Sequence, residues 1–448
     1  MAYGGGTWLT QNKVLPGAYI NFTSVSRASA TLSDRGVAAI PLPLAWGPEG
    51  TVFEVTNGDL QKNSMDIFGY SYMDDAMLPL RELFLYARTA YLYRLTGTTT
   101  KAVAQLGSAT FATAKYGGSR GNAMRLVISA NVDTPSAFDV KIYMGDALVD
   151  EQIGVATAAD LVNSNFATFN PDATLEVTAG VNFTGGGDGT INGTAWQAAL
   201  DAFEAYSFNT LGCPTDDETT KGLFVQYTKR MRDEVGAKFQ LVGHKIPNAD
   251  YEGVISVEND VSGYPDGVLG MGAFGLVYWM TGAEAGCEVN RSCTNKQYDG
   301  ELTVNTDYTQ KQLEDAIKGG KLILHNANGV VRILDDTNTL LTLGNTKGAV
   351  FQANQTMRVC DQIANDTAVL FNTRYLGVVP NDASGRMSLW ADICKLIQEL
   401  ERLRAVEDFD TSTLTVEQGD TKKAVVATLQ NLNIVNAMAQ LYMSVIIM

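Results

Sequence analysis

The 448-residue chain carries 49 acidic against 33 basic side chains, a formal net charge of −16, with 45% of its residues hydrophobic and 18% charged. That hydrophobic share excludes a disordered chain, and the length calls for about two to four domains. Lys and Arg are spread thinly, so no basic face is on offer to phosphate backbones or anionic lipid, and neither nucleic acid nor membrane is an expected partner.

Residues 1–19 lack a charged stretch followed by an apolar one, so no secretory leader is expected. The greasiest run, 271–280, falls far short of the ~20 residues that a membrane span requires. The five cysteines, Cys213, Cys287, Cys293, Cys360 and Cys394, are odd in number and scattered. They read as reduced cytosolic thiols rather than a disulfide framework, with Cys287 and Cys293 assigned to packing.

Residues 1–30 read as an arm. Gly4, Gly5 and Gly6 lead to an extended segment, 14–22, behind the Pro16-Gly17 turn signal. Within it Ala18, Ile20 and Phe22 alternate with Tyr19 and Asn21, a strand pattern that needs a partner, possibly from another chain. A strand follows over 36–46. The spacing of Leu80, Leu83, Phe84, Ala87, Tyr91 and Leu95, with Pro79 in a first turn, predicts one helix over 78–95.

From 96 to 189 the pattern changes to short β runs at 109–114, 124–130, 138–144, 151–155 and 175–177, which predicts a small all-β unit. The stretch from Gly185 to Gly189 reads as its outgoing hinge. Alternation then sets in. A helix from Ala195 to about 207, capped by Thr194, and a helix over 219–235 precede strands at 239–243 and 253–257. A buried helix over 272–285, a short one over 310–317 and a strand over 321–324 complete an α/β layer with a partly parallel sheet. Two amphipathic helices, 354–374 and 384–404, come next, the second carrying Leu389, Ile393, Leu396, Ile397, Leu400 and Leu403 on one side. Strands are expected over 413–416, 424–429 and 437–447. In the last, Leu441, Met443 and Val445 alternate with Tyr442 and Ser444, giving a second terminal strand in search of a sheet.

Motifs for chemistry are sparse. Gly270-Met-Gly-Ala-Phe-Gly275 matches G-x-G-x-x-G, but a loop precedes it and no acidic residue follows at the distance a dinucleotide site requires. Small residues opening a tightly packed helix are the better account. His244 and His325 each end an expected strand, yet no G-x-S-x-G elbow and no metal-ligand spacing accompanies them. Asp74-Asp75, Asp216-Asp217-Glu218 and Asp335-Asp336 lack the spacing of a calcium loop and suit turns or N-caps. No Walker A sequence is present, and no cofactor or metal is expected.

Several stretches fall in the order seen in contractile tail sheath proteins of phages and phage-like bacteriocins of Gram-positive hosts. Lys13 to Phe22 resembles the arm of that family, Arg35-Gly36 through Glu49 the strand after it, and Tyr116 to Asn122 with Phe138-Asp-Val140 the inserted β-sandwich. Asp250 to Asn259 and Tyr278 to Gly286 resemble the central domain. Arg358 to Ile363, Tyr375-Leu-Gly377, Pro380-Asn381 and Gly385-Arg386 resemble the C-terminal domain. Gly117-Gly118 departs from the Pro-Gly common in relatives, at a surface turn.

The resemblance implies a multidomain α/β and all-β chain. Its parts are an arm (1–30), the N-terminal part of the body (31–95), an inserted β-sandwich (96–189), a central α/β domain of subtilisin-like fold (190–346), an α+β C-terminal domain (347–436) and a terminal arm strand (437–448). It also implies a structural subunit, not an enzyme, that polymerises with itself around an inner tail tube protein and meets baseplate and tail terminator proteins. Such a subunit belongs to a virion tail or phage-like particle assembled in the host bacterial cytoplasm. The residues expected to link subunits are Leu15, Pro16, Gly17, Tyr19, Ile20 and Phe22 in the first arm, and Leu441, Tyr442, Met443, Val445 and Ile446 in the second. Two other classes remain open on sequence alone: a hydrolase using His244 or His325, and a capsid or surface-layer subunit.

Overall fold

The computed structural model describes residues 32–447. The expected arm over 1–30, with Leu15, Pro16, Gly17, Tyr19, Ile20 and Phe22, lies outside the described residues. Seven strands form the main sheet in the order Lys321–Leu322, Val254–Val257, Gln240–His244, Thr210–Cys213, Val37–Pro43, Thr89–Leu95 and Val52–Thr56. Every neighbouring pair is parallel except the last, where Val52–Thr56 runs against Thr89–Leu95. Strands buried on both faces need apolar residues at odd and even positions alike. Ala38, Ile40 and Leu42 face the helices Leu78–Phe84 and Leu276–Gly286, while Ala39, Leu211 and Leu241 face Gly193–Phe203 and Glu218–Arg230. The result is a three-layer α/β body.

The helix expected over 78–95 is two elements, the helix Leu78–Phe84 and the strand Thr89–Leu95. The strand pairs residue for residue with Val37–Pro43, and the amides of Arg88 and Thr89 both donate to the Gly36 carbonyl, closing the turn between them. Tyr91 and Leu95 satisfy a helical spacing by coincidence; the sheet partner decides. The helix Asn57–Phe68 was not foreseen, although its capping box is plain: Thr56 and Asp59 satisfy each other's backbone amides. Asn192, not Thr194, caps the helix Gly193–Phe203, its Oδ1 accepting from the amides of Thr194 and Ala195.

The β-sandwich sets Thr178–Asn182, Met124–Ala130, Phe138–Met144 and Ala147–Val155 against Val103–Leu106, Ala109–Ala114 and Ala167–Phe169. The strand expected over 175–177 falls at Thr178–Asn182. Trp46 leaves the body to sit in the sandwich core, edge-on to Tyr116 and stacked on Phe166. The glycine stretch is not a loose hinge. Gly97 donates to the Asp188 carbonyl, Thr100 to Gly187 and Val103 to Thr184, so the incoming and outgoing segments form one paired ribbon. A side chain at Gly97 would overlap the backbone of Thr190, so the two segments close only because no Cβ stands between them.

The C-terminal part packs the helices Asn354–Leu370 and Ala383–Arg402 under a hairpin of Leu414–Gln418 and Val425–Leu429. Trp390 Nε1 donates to the Leu414 carbonyl at 2.9 Å, tying helix to hairpin. Arg232 of the body reaches across to Asp361 with bonds of 2.7 and 2.8 Å, a bidentate pair that fixes this domain on the layer.

Candidate assembly site

The last anchored residues are Val435, Asn436 and Ala437. The Val435 amide donates to Ala405, and Gln355 takes both the Val435 carbonyl (3.0 Å) and the Ala437 amide (2.9 Å). Thr356 Oγ1 donates to Asn436 Oδ1 at 3.3 Å. Beyond that clamp the strand expected over 437–447 does not form. Its backbone has no ladder partner among the described residues, and a strand without one is not a stable element.

The side chains tell the same story. Leu441 is 86% exposed, Tyr442 88%, Met443 76%, Val445 72% and Ile446 88%, flanked by Met438 and Ile447 in like state. Burial of each stabilises by about 1.5–3 kcal/mol, so a contiguous apolar run left in water is the signature of a surface awaiting a partner. The hairpin Leu414–Gln418/Val425–Leu429 has no third strand among the described residues, so its outer backbone edges are also unpaired.

The alternative sites are closed off. His244 Nδ1 lies 2.8 Å from Asp216 and Nε2 3.0 Å from Asp260, while Lys221 and Lys245 pair with the same two carboxylates. Both ring nitrogens are engaged by acids, so neither is free to accept a proton from a nucleophile. His325 sits on a separate hairpin, Leu324–Ala327 with Val330–Ile333, opposite Arg332.

Glu284, Asp336 and Cys293 bring potential ligand atoms within 4.8 Å of one another, but the buried Arg358 guanidinium bonds both carboxylates and supplies the cation itself. Asp217 is the N-cap of Glu218–Arg230. The Gly270 carbonyl is bound by Tyr278 Oη, and the loop lies against Pro43 rather than cradling an anion.

The family model of the phage tail sheath protein central domain matches residues 189–339, that of the sheath C-terminal domain 346–448, and that of the sheath beta-sandwich domain 97–188. The model of the tail sheath protein Gp18 domain III N-terminal region matches 35–95. The phage-like element PBSX protein XkdK of Bacillus subtilis is 31% identical over 81% of each chain. The chain belongs to the phage tail sheath family.

A sheath tail protein from Desulfitobacterium hafniense has the same fold, with a TM-score of 0.78 and 36% identity over 90% of this chain and 93% of that one. One from Listeria innocua gives 0.78 and 29% over 91% and 93%. The anti-feeding prophage helical sheath in its contracted state shares the fold alone, with a TM-score of 0.56 and 12% identity over 97% and 99%. This sheath protein is thus a multidomain subunit with mixed α/β content and a β-sandwich, from the tails of phages or phage-like particles. Among its described residues no helix is long and apolar enough to cross a membrane.

Proposed function

We propose that this sheath subunit polymerises into a helical tube around an inner tail tube protein and contracts to drive that tube through a target envelope. Its terminal arms link neighbouring subunits by strand addition. The observation that carries the reading is the run of exposed apolar residues from Leu441 to Ile447, which begins immediately past the Gln355 clamp. An extended segment of alternating pattern gains both backbone bonds and burial when it adds to an open sheet edge, and the Leu414–Leu429 hairpin presents such an edge. The segment 14–22 carries the same alternation and is assigned the same role. Linked in this way, bodies exchange one set of contacts for another without dissociating, and the energy comes from a bistable interface rather than a nucleotide.

The anti-feeding prophage and a second extracellular contractile injection system use this fold in contracted sheaths, and the former also in a baseplate, which supports self-assembly and a baseplate partner here. Tail terminator contacts and assembly in the host cytoplasm follow from the same reading, as does a mechanical rather than catalytic role. We assign 31–95 with 190–346 to a body of subtilisin-like arrangement, 96–189 to an outer domain and 347–436 to the arm-binding domain. Electron microscopy of the full chain and of a chain ending at Asn436 tests this. Striated tubes are expected only from the former, while both remain folded by circular dichroism; tubes from the shortened chain would refute strand addition.

A further inference from the structure

We propose that Cys287 and Cys293 form an intramolecular disulfide when the chain meets a thiol oxidant, closing the loop between them at the seam of body and C-terminal domain. Cys287 ends the helix Leu276–Gly286 and Cys293 ends the loop, and the two thiols lie within hydrogen-bonding reach of each other. Both are buried, so their approach is imposed by packing rather than by chance encounter on a surface.

The intervening residues hold the seam. Asn290 Nδ2 donates to the Leu403 carbonyl at 2.8 Å, the Arg291 carbonyl accepts from Arg358 at 3.0 Å, and Val289 is buried in the C-terminal core. The loop is therefore already fixed at several points, and a bond between its ends adds a covalent constraint to a geometry in place.

The surroundings favour reaction at one sulfur. The hydrogen bond from Cys293 and the nearby Arg358 and Arg35 guanidiniums pull the Cys287 thiol below its ordinary value against the effect of burial. The same bond and burial push Cys293 up. A thiolate next to a thiol is the arrangement in which the first sulfur attacks the oxidant and the second displaces it. With diamide, Cys287 adds to the N=N bond, and Cys293 then attacks the Cys287 sulfur. The S–S bond forms as two electrons and two protons pass to the azo group, which leaves as a hydrazine. Cys213, Cys360 and Cys394 lie outside this pair, and burial raises each of them.

The test uses the full chain, native and reduced, treated with diamide, then alkylated, digested and weighed. The five free thiols should fall by two, to three, with the mass of two hydrogens lost and a peptide joining residues 287 and 293. Five alkylated cysteines in the treated native chain, or a cross-link joining any other pair, would overturn the proposal. Proteolysis of the oxidised chain should cut more slowly between 287 and 293 than in the reduced one; equal cutting would show that the bond does not close the seam.

Discussion

Arg94 Nη2 donates to the carbonyl of Gly117 at 2.8 Å, a bond that crosses from the last strand of the body to the first turn of the sandwich. The same fully buried guanidinium holds the carbonyls of Leu44 and Gly47 at 2.7 and 2.8 Å and lies near Glu49 and Asp188. One side chain thus gathers four segments that the sequence separates. Arg94→Met leaves three buried carbonyls without a donor and is expected to cost about 3 kcal/mol. Protease cutting should then appear near 97 and 185–190 while the body stays intact; an unchanged digestion pattern would show that Trp46 packing alone holds the junction.

Helix Leu276–Gly286 crosses helix Leu78–Phe84 at glycines. A Cβ at Gly282 would overlap the Leu83 carbonyl and one at Gly286 that of Tyr86. Gly282→Ala is predicted to destabilise the body by about 2–4 kcal/mol through overpacking, whereas Ala283→Gly should cost only about 1 kcal/mol of helix propensity. Denaturant midpoints of the two variants decide it.

Glu82 is buried with its oxygens accepting from the Glu301 amide and Tyr298 Oη, and burial raises its carboxyl from 4.5 to about 7. The folded chain therefore holds this proton more tightly than the unfolded one. Its contribution is fully present below pH 4.5 and is lost as pH rises through 7, a change of about 3 kcal/mol. Thermal midpoints should fall over that window, and Glu82→Gln should flatten the fall.

Asp336 is buried, which alone would raise its carboxyl, but Arg358 at 2.6 Å holds it below the usual range. Arg358→Met strands Asp336 and Glu284 without their cation and is predicted to cost about 3–5 kcal/mol. Losses under 1 kcal/mol in a denaturant titration would mean that the carboxylates find another partner.

On the terminal arm, Leu441, Met443 and Val445 share one face. Leu441→Asp with Val445→Asp should abolish tubes in the microscope yet leave the melting of the monomer unchanged, because these side chains make no core contact here. Tubes from that variant would count against the arm's role.

Much of this architecture was legible in the residues. The sandwich strands 124–130 and 138–144 fell where alternation put them, as did the two C-terminal helices, because each has its own hydrophobic period. What local pattern does not encode is the partner. Thr89–Leu95 reads as helix until Val37–Pro43 pairs with it, and Arg94 looks like any surface arginine until Gly117 closes over it. The Arg358 cluster was missed for the same reason, since Glu284 and Asp336 lie 52 and more positions apart and meet only after folding. The terminal arm shows the converse: its strand pattern was readable, but the segment has no ladder partner among the described residues.

The sandwich leaves the body and returns to it along one paired ribbon, Thr100 against Gly187. Its two attachment points are therefore one strand spacing apart, about 5 Å. An outer module tethered in this way can be enlarged, exchanged or trimmed back to a short hairpin while the parallel sheet and the arm-bearing domain keep their register. Lineages can then vary the outside of the tail without renegotiating the lattice that contracts.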